Sequence, residues 1–222
     1  MKVTLKSVSL PTEELQKQGI KTSEDFIVYC ARVSNPQNQF NTETNEKLIN
    51  YCIKHQHWSI FEQAFCTIEV VTSRAIAAQI LRHRSFTFQE FSQRYATATE
   101  LEQYELRKQG KTNRQVGEEI YDTSFSTGDV ELGIELGQLK HNALRLYEKM
   151  ISKGIARESA RMILPLQTQT TLYMSGSVRS FIHYIDLRSK QDTQKEHRDI
   201  AISMKRIFVQ TFPTIAKALE WK

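Results

Sequence analysis

The 222-residue chain has few of the residues that build disulfide scaffolds, zinc sites or flexible linkers. It contains three cysteines, eight glycines and four prolines. An odd cysteine count without C-x-x-C spacing argues against disulfide frameworks and zinc sites, and it indicates reduced thiols in a cytosol-like compartment. Because so little glycine and proline is available for linkers, we expect residues 1–222 to form a single domain.

Long apolar runs and glycine-rich nucleotide motifs are missing as well. No run approaches the roughly 18 apolar residues of a membrane span, and the first ten residues lack the apolar core of a signal peptide. We therefore expect a cytoplasmic protein that does not enter a membrane. Neither G-x-G-x-x-G nor G-x-x-x-x-G-K-S/T occurs, so any dinucleotide would be held without a Rossmann unit.

The composition that remains is that of an ordinary globular protein with a mild basic bias. Apolar residues make up 40% of the chain and charged residues 25%, and the formal net charge is +5. These proportions are sufficient for a packed core. The positive charge favours anionic partners, such as nucleotides, nucleic acid or acidic surfaces.

The apolar periodicity predicts an α+β fold in which helices surround a small, mostly antiparallel sheet. Strands are expected over residues 3–10, 64–71 and 168–174. Helices are expected from residue 22 to about 34, over 46–54, 74–81, 130–153, 157–164 and 178–187, and after 192, where Pro213 breaks the last helix and residues 215–221 close the chain. Ser73 and Gly154 are suited to begin and to end two of these helices. We expect a loop at 55–62, and irregular structure or short helices in the polar segment 97–129.

The most informative segment runs from Arg82 to Tyr95 and has the sequence R-H-R-S-F-T-F-Q-E-F-S-Q-R-Y. It combines arginine and histidine with four aromatic rings and a single acid, Glu90. Guanidinium groups bind phosphate or carboxylate, and aromatic faces can stack on a heterocycle, so the segment suits a planar anionic ligand. The alternative is a solvated basic helix end whose aromatic rings lie in the core.

A second group of polar residues comprises His55, His57, Glu62 and, further along the chain, His83. The spacing imitates the histidine pair and acid of a cupin metal site. The preceding segment has a helical pattern, however, whereas a cupin requires an all-β barrel. Histidines in a loop at a helix end are the simpler interpretation.

Two further groups of cations lie on predicted helices. Arg157 and Arg161 are four residues apart and so share a helix face; the same pattern is expected of a surface stripe paired with Glu158 or with solvent. Arg179 and His183 are also one turn apart, behind a serine at the helix start where free backbone N–H groups could receive an anion. The alternative there is a capped amphipathic helix.

The pattern R-H-R, seven residues, S, then Q-R-Y resembles the signature of the flavin-dependent thymidylate synthases. Four more blocks resemble that family in the same order: A-R-V-S at 31–34, K-H-Q-H-W-S-I-F-E at 54–62, G-I-A-R-E-S-A-R-M-I-L-P at 154–165, and V-R-S with D-L-R over 178–188. Two positions depart from the family pattern, since Ser177 stands where Asn is frequent and Asp192 where His is frequent. The polar segment 97–129 carries no recognisable block.

The resemblance implies a reaction and its reagents. These are the reductive methylation of dUMP to dTMP, methylenetetrahydrofolate as one-carbon donor, FAD as cofactor and NADPH as reductant. It also implies a homotetramer in which several subunits build each site. Cys30, Cys52 and Cys66 occupy apolar periodic positions, so we interpret them as core residues. That interpretation is compatible with a reaction that needs no cysteine nucleophile, unlike the other thymidylate synthase class.

The resemblance also implies roles for individual residues. Arg188 would stabilise negative charge at N3 and O2 of the pyrimidine, and its role is electrostatic because arginine stays protonated. His57 would lie beside flavin and folate. The flavin contacts would be Ser34, Ser59, Arg82, His83, Arg84, Glu90, Ser177, Arg179 and His183. The dUMP contacts would be Gln79, Arg82, Glu90, Ser92, Gln93, Arg94, Arg161 and Arg188, with Arg94 and Arg161 at the phosphate.

Two interpretations from other classes make different predictions. A nucleic-acid-binding module would use residues 82–95 as a basic patch. The charge outside that segment is modest and unclustered, and no nucleic-acid motif is present, so we expect no nucleic-acid partner. A metal protein would hold an ion at the histidine group, and we expect none there.

Overall fold

The computed structural model describes residues 1–221 and shows an antiparallel sheet with helices packed around it. The strands are β1 (Lys2–Val8), β2 (Phe65–Ser73), β3 (Thr87–Glu90), β4 (Arg107–Gln109), β5 (Gly117–Ile120) and β6 (Gln169–Ser177). The helices are α1 (Glu13–Lys17), α2 (Ser23–Ala31), α3 (Asn45–Lys54), α4 (Arg74–Ile80), α5 (Val130–Ser152), α6 (Arg157–Ala160), α7 (Val178–Arg188), α8 (Lys195–Thr211) and α9 (Pro213–Ala218). The predicted α+β class is confirmed.

The main sheet has the order β1-β2-β6-β3, with every neighbouring pair antiparallel. Its centre is the pair β2 and β6, which are in register from Phe65 opposite Ser177 to Ser73 opposite Gln169. Alternate residues of the two strands face the core, as the period of two requires. The buried apolar residues of this pair are Cys66, Ile68, Val70, Leu172 and Met174.

Each of the two central strands runs directly into a helix that its last serine caps. Ser73 Oγ accepts from the Ile76 N–H at 3.4 Å, as predicted, and Ser177 Oγ accepts from the Ser180 N–H at 3.2 Å. Because the strands are antiparallel, α4 and α7 begin at opposite ends of the sheet. Helix α8 packs against both, so they lie on the same face and run toward each other.

The lengths of these helices place their C-terminal ends close together. Helix α4 has 7 residues and α7 has 11, which correspond to about 10 Å and about 16 Å. Their sum is close to the roughly 30 Å of a nine-residue strand. The two C-terminal ends therefore meet above the middle of the sheet.

Several elements near these junctions differ from the prediction. Residues 58–62 form a 3-10 turn rather than a loop. The short strand β3 was not predicted, because its flanking cations obscured the alternation of T-F-Q-E. Strand β6 continues through Gly176 instead of ending near residue 174, because it stays paired with β2 there. A Cβ at Gly176 would lie 2.4 Å from the Phe86 ring. The glycine thus lets Phe86 pack against the strand.

The polar segment 97–129 contains the hairpin β4–β5, not the irregular structure or short helices that we expected. Its strands consist mostly of Arg, Lys, Gln and Glu, which have low β propensity, so the pattern was not visible in the sequence. Lys108 and Glu119 form an ion pair across the hairpin at 3.0 Å. Arg107 reaches out of the hairpin to Glu196 on α8 at 2.5 Å. The hairpin is therefore attached to the helical layer.

Helix α5 ends as predicted but exposes much of its apolar face. Gly154 has a φ of +80° and follows the last turn, where a left-handed residue ends the helix. Leu139 is 64% exposed and Leu146 is 44% exposed, and Tyr147 is the one buried residue of the helix. The apolar face of α5 is thus only partly covered by the rest of the described chain. No helix within residues 1–221 is both long and apolar enough to cross a membrane.

Candidate active site

The meeting point of α4 and α7 brings His83 and Arg188 into direct contact. Arg188 is the last residue of α7, and its Nε donates to His83 Nε2 at 2.9 Å although the residues are 105 positions apart. His83 follows α4 in a turn closed by a bond from its N–H to the Ile80 carbonyl at 3.0 Å. The dipoles of both helix ends favour cations at this point.

His83 is a neutral hydrogen-bond acceptor at ordinary pH. Burial, together with the positive charges of Arg188 and Arg82, lowers the pKa of His83 to about 4. Its Nε2 accepts from Arg188, so the ring proton lies on Nδ1. A neutral imidazole orients the guanidinium without neutralising it. Arg188 therefore retains its full positive charge for an anionic ligand.

Two residues that we did not predict, Tyr184 and His197, complete this cluster. The Tyr184 ring lies edge-on to His83 at 4.8 Å between centroids, and its hydroxyl lies 2.9 Å from His197 Nε2. His197 is fully buried. The sequence did carry a signal: Tyr184 is four residues before Arg188, and His197 is three residues before Ile200 on the apolar stripe of α8.

Gln79 on α4 belongs to the same cluster. Its Oε1 lies 3.2 Å from His197 Nδ1, and its Nε2 donates to Gln194 Oε1 at 2.7 Å. Arg82 lies beyond the end of α4, in a turn where its N–H is 3.4 Å from the Gln79 carbonyl. Helix α4 thus ends at Ile80, before Arg82.

Besides Arg188, three of the predicted cations have no acidic partner among the residues that the structure describes. Arg82 and Arg84 are exposed on either side of His83, and Arg161 is half-buried. Within residues 1–221, none of the three has a carboxylate oxygen within 4.0 Å. Guanidinium groups of this kind suit phosphate or pyrophosphate oxygens.

The 3-10 turn at residues 58–62 packs against the first half of α7. Arg179 Nη1 donates to Glu62 Oε1 at 3.0 Å, and the rings of Trp58 and His183 lie 5.0 Å apart. Burial, and then the charge of Arg179, lowers the pKa of His183. These contacts place the exposed Ser59 on the same side of the molecule. Three predicted residues, Ser59, Arg179 and His183, are thus gathered from two distant blocks.

Tyr51 lies close to His57 and shares a concavity with Ser34. The Tyr51 ring lies 5.8 Å from His57 and 4.3 Å from His55. Tyr51 and Ser34 both border a concavity of about 430 Å³. Within the described part of the chain, no group of three His, Cys, Asp or Glu side chains is suited to hold a metal. His83, the third histidine of the cupin-like pattern, lies instead in the Arg188 cluster.

Arg94 lies against the segment that carries Arg157 and Arg161. Its Nη2 is 3.5 Å from Glu158 Oε2, and a small cavity of about 260 Å³ lies between Arg94 and Arg157. Glu158 thus pairs with Arg94, while Arg157 is exposed to solvent. The predicted helix 157–164 is wrong in its second half, because α6 ends at residue 160 and a 3-10 turn begins at Arg161.

The segment from Arg82 to Tyr95 contains one buried hydrogen-bond donor that is unsatisfied. Glu90 accepts from Thr170 at 2.9 Å, and Ser92 Oγ accepts from the Arg94 N–H at 3.3 Å. Gln93 is only 3% exposed, yet its Nε2 has no hydrogen-bond partner in the described part of the chain. An unpaired buried donor costs about 1–3 kcal/mol. This side chain therefore suits a ligand that supplies an acceptor.

The start of α7 is less available to an anion than we expected. Ser177 is buried, and its hydroxyl is bonded to the N–H and hydroxyl of Ser180. The Val178 N–H donates to the Ala64 carbonyl at 2.8 Å. Two of the N–H groups at this terminus are therefore already used, which supports the capped-helix interpretation at this position.

The cysteines are not suited to nucleophilic chemistry. Cys52 and Cys66 are buried, as predicted, and Cys30 is partly buried. Burial raises the pKa of all three thiols, and that of Cys66 to about 12. The thiolate is the nucleophilic form, so these residues are unreactive near neutral pH.

A largely apolar cavity of about 320 Å³ lies between α4, α5 and α8. Its lining includes Ile76, Leu136 and Pro165, together with the polar side chains of Gln194 and Glu196. The predicted site residues are not part of this lining. The cavity borders the candidate site through Gln194, the partner of Gln79.

Comparisons with known proteins show similarity along most or all of the sequence. Residues 17–214 match the family described as thymidylate synthase complementing protein. A probable flavin-dependent thymidylate synthase of Paramecium bursaria Chlorella virus 1 is 51% identical over 222 residues, which are 100% of both chains. A flavin-dependent thymidylate synthase of Synechocystis is 51% identical over 215 residues, 96% of this chain and 98% of that protein.

The fold is shared with a solved enzyme. The crystal structure of a UMP/dUMP methylase, PolB from Streptomyces cacaoi, bound with 5-Br dUMP, matches with a TM-score of 0.79 and 25% identity, covering 99% of this chain and 94% of that one. The family match spans most of the sequence, and the 51% identity extends along its whole length. This chain therefore belongs to the flavin-dependent thymidylate synthase family.

Proposed function

We propose that this chain catalyses the reductive methylation of dUMP to dTMP, with methylenetetrahydrofolate as one-carbon donor and NADPH as reductant. The observation that carries the proposal is the contact between His83 and Arg188, which places a fully charged guanidinium where two helix ends meet. The names of the relatives support a flavin, and the UMP/dUMP methylase with the same fold supports dUMP as substrate.

The donor set fits FAD, whose pyrophosphate is anionic. Arg82 and Arg84 are exposed and have no acidic partner among residues 1–221, so they would hold the pyrophosphate. Ser59, Arg179 and His183 form a second polar surface on the same helix layer. When bound, FAD reduced by NADPH supplies the hydride that the methylation needs.

The phosphate of dUMP would lie between Arg94 and Arg161. Arg94 now pairs with Glu158 at 3.5 Å, and both side chains are about 60% exposed. An exposed pair of this kind contributes about 0–1 kcal/mol, so a phosphate can displace it easily. The unpartnered Nε2 of Gln93 and the hydroxyl of Ser92 would add hydrogen bonds to the nucleotide.

Arg188 would stabilise the negative charge that develops on the pyrimidine at N3 and O2. His83 uses only the Nε–H of the guanidinium, so the terminal N–H groups remain for the ring. The contribution is electrostatic, because the arginine stays protonated. The Cys66 thiol, with its pKa raised to about 12, supplies no alternative nucleophile.

The exposed apolar face of α5 supports a homotetramer. Ile134, Leu139 and Leu146 on α5 and Met162 and Leu166 beyond it are each at least 40% exposed. Burial of such residues between subunits is favourable by roughly 25 cal/mol per Å². Assembly would also bring together cations that one chain leaves in separate groups.

Free thiols are compatible with a reducing cytoplasm.

The absorbance spectrum of the purified protein between 300 and 550 nm tests this function. We expect flavin bands that bleach when NADPH and dUMP are added without oxygen, and dTMP when methylenetetrahydrofolate follows. Purified protein without flavin absorbance would first be incubated with FAD. If it still binds no FAD, or forms no dTMP when loaded, the proposed function is wrong.

A further inference from the structure

Gln79 lies in a chain of hydrogen bonds whose direction is set at one end by an ion pair. Arg107 Nη2, from the β4–β5 hairpin, donates to Glu196 Oε1 at 2.5 Å. Burial alone would raise the pKa of Glu196, but the hydrogen bonds from Arg107 and Gln194 outweigh it and lower the pKa. Glu196 is therefore ionised, and a carboxylate can only accept. Any group bonded to its second oxygen must donate.

The fixed acceptor role of Glu196 determines the donor and acceptor roles of each following residue in the chain of hydrogen bonds. Gln194 Nε2 donates to Glu196 Oε2 at 3.0 Å, which leaves Gln194 Oε1 to accept from Gln79 Nε2 at 2.7 Å. The remaining amide atom, Gln79 Oε1, faces His197 Nδ1 at 3.2 Å. An amide oxygen accepts, so His197 carries its proton on Nδ1. Its Nε2 then accepts from the Tyr184 hydroxyl at 2.9 Å.

The surroundings of His197 keep the ring neutral. The residue is fully buried, and the charged or titratable groups that face it are Arg188 and His83, with the Tyr184 hydroxyl. Burial and then the charge of Arg188 lower the pKa of His197 to about 3. The second ring proton, which would oppose the Tyr184 donor, is therefore absent near neutral pH.

We infer that His197 is a positioning residue that, with Gln194, fixes the amide of Gln79 in one orientation toward dUMP. This inference rests on the proposed function and on the expectation, from the family resemblance, that Gln79 contacts dUMP. A flipped amide would set its N–H group against the Nδ1–H of His197 and its oxygen against Gln194 Oε1. Both contacts would be repulsive, so Gln79 presents one free N–H and one free lone pair at fixed positions.

The tautomer of His197 tests the order of the chain directly. Two-dimensional ¹⁵N–¹H NMR of the FAD-loaded protein distinguishes Nδ1–H from Nε2–H rings, and a His197→Asn variant identifies the signal. We expect a neutral Nδ1–H ring that does not titrate between about pH 5 and 8. A ring protonated on Nε2, or one that titrates in that range, would overturn the inference.

Two substitutions of His197 separate positioning from packing. Asn places an N–H near the Nδ1 position, whereas Gln reaches the Nε2 position and leaves Gln79 Oε1 without its donor. By calorimetry on FAD-loaded protein we expect His197→Asn to keep the dUMP Kd within about twofold, and His197→Gln to weaken it about tenfold. The flavin content should be the same in both. Equal dUMP affinities of the two variants would contradict the inference.

A substitution of Glu196, at the other end of the chain of hydrogen bonds, leaves the buried His197 unchanged. In Glu196→Gln the new amide can donate to Gln194, so the donor and acceptor roles along the chain of hydrogen bonds can reverse. We expect a mixture of His197 tautomers and an approximately tenfold weaker dUMP Kd. Asp199→Asn is the matched control, because Asp199 lies on the same helix and bonds Lys195 at 3.1 Å. An unchanged tautomer in Glu196→Gln would overturn the inference, whereas wild-type protein that binds no dUMP would refute the proposed function instead.

Discussion

Arg188 is the residue on which the proposed chemistry depends most. We expect Arg188→Ala to keep its flavin and to lose turnover by at least about 100-fold, because preorganised charge at the reacting ring is lost. Flavin absorbance and dTMP formation measure the two effects separately. Arg206→Ala is the control, since Arg206 is exposed on α8 outside the site. An Arg188→Ala enzyme with more than about a tenth of normal turnover would refute this role.

Arg161 and Arg157 are a matched pair for the phosphate site. Arg161 would contact the phosphate of dUMP directly, while Arg157 lies one turn away and is exposed. A charge-assisted hydrogen bond contributes about 1.5–3 kcal/mol, so we expect Arg161→Ala to raise the KM for dUMP about 10- to 100-fold. Arg157→Ala should change it by less than about threefold. Similar KM values for the two variants would show that Arg161 does not hold the phosphate.

The two buried histidines give the stability of the fold a dependence on pH. An unfolded histidine has a pKa near 6.5, whereas burial lowers the pKa of His83 to about 4 and that of His197 to about 3. The unfolded state therefore binds protons first as the pH falls. Their effect on stability is constant above about pH 6.5, and the destabilisation grows as the pH falls from about 6.5 to about 4 for His83 and to about 3 for His197.

Urea unfolding between pH 8 and pH 4 measures this effect by difference. We expect the stability of the wild-type protein to fall more steeply below pH 6.5 than that of His197→Asn, which has lost one of the two titrating rings. Other acids titrate in both proteins and cancel in the comparison. Parallel curves would mean that His197 is not held neutral in the folded protein.

At the scale of elements, the packing of the Phe86 ring against β6 depends on Gly176. A Cβ at this position would lie 2.4 Å from the Phe86 ring, and both residues are buried. We expect Gly176→Ala to reduce the free energy of unfolding by about 1–3 kcal/mol, because overpacking displaces the ring. Thermal and urea unfolding would measure the loss.

Gly137 in α5 provides the control for this substitution. An added Cβ there meets no atom within 4 Å, and Ala is favoured over Gly inside a helix by about 1 kcal/mol. Gly137→Ala should therefore be neutral or stabilising. If both alanine variants were equally stable, the close approach of Phe86 would not be what requires a glycine in β6.

The elements were predictable where local chemistry marked them. Ser73 follows a strand pattern and precedes a helical one, so the cap and the junction were visible in the sequence. The strand β3 and the hairpin β4–β5 were not visible, because their residues are polar or cationic and are fixed by contacts such as Arg107 with Glu196. Propensity is a weak guide when the partner of a strand supplies its stability.

At the scale of the whole molecule, the apolar face of α5 should be a subunit interface. Leu139 is 64% exposed in the single chain. We expect Leu139→Lys to lower the mass measured by light scattering from that of a tetramer, since burying a charge in an interface is costly. FAD content should fall with it, because several subunits would build each site. Leu10→Lys, at a residue 63% exposed outside α5, should keep the tetramer, and an unchanged mass for Leu139→Lys would refute the interface.

The sequence by itself determined the chemistry available to this protein and most of its elements. The residues of the R-H-R segment, the arginines of three further blocks and the two serine caps are local features, and apolar periodicity shows which face of an element is buried. Periodicity does not show what covers that face. Only the tertiary structure decided that His83 meets Arg188 across 105 positions, that His197 joins Tyr184 to Gln79, and that α5 is left exposed. The lowered pKa values of both histidines have the same origin, because burial and the charge of Arg188 come from segments distant in the sequence.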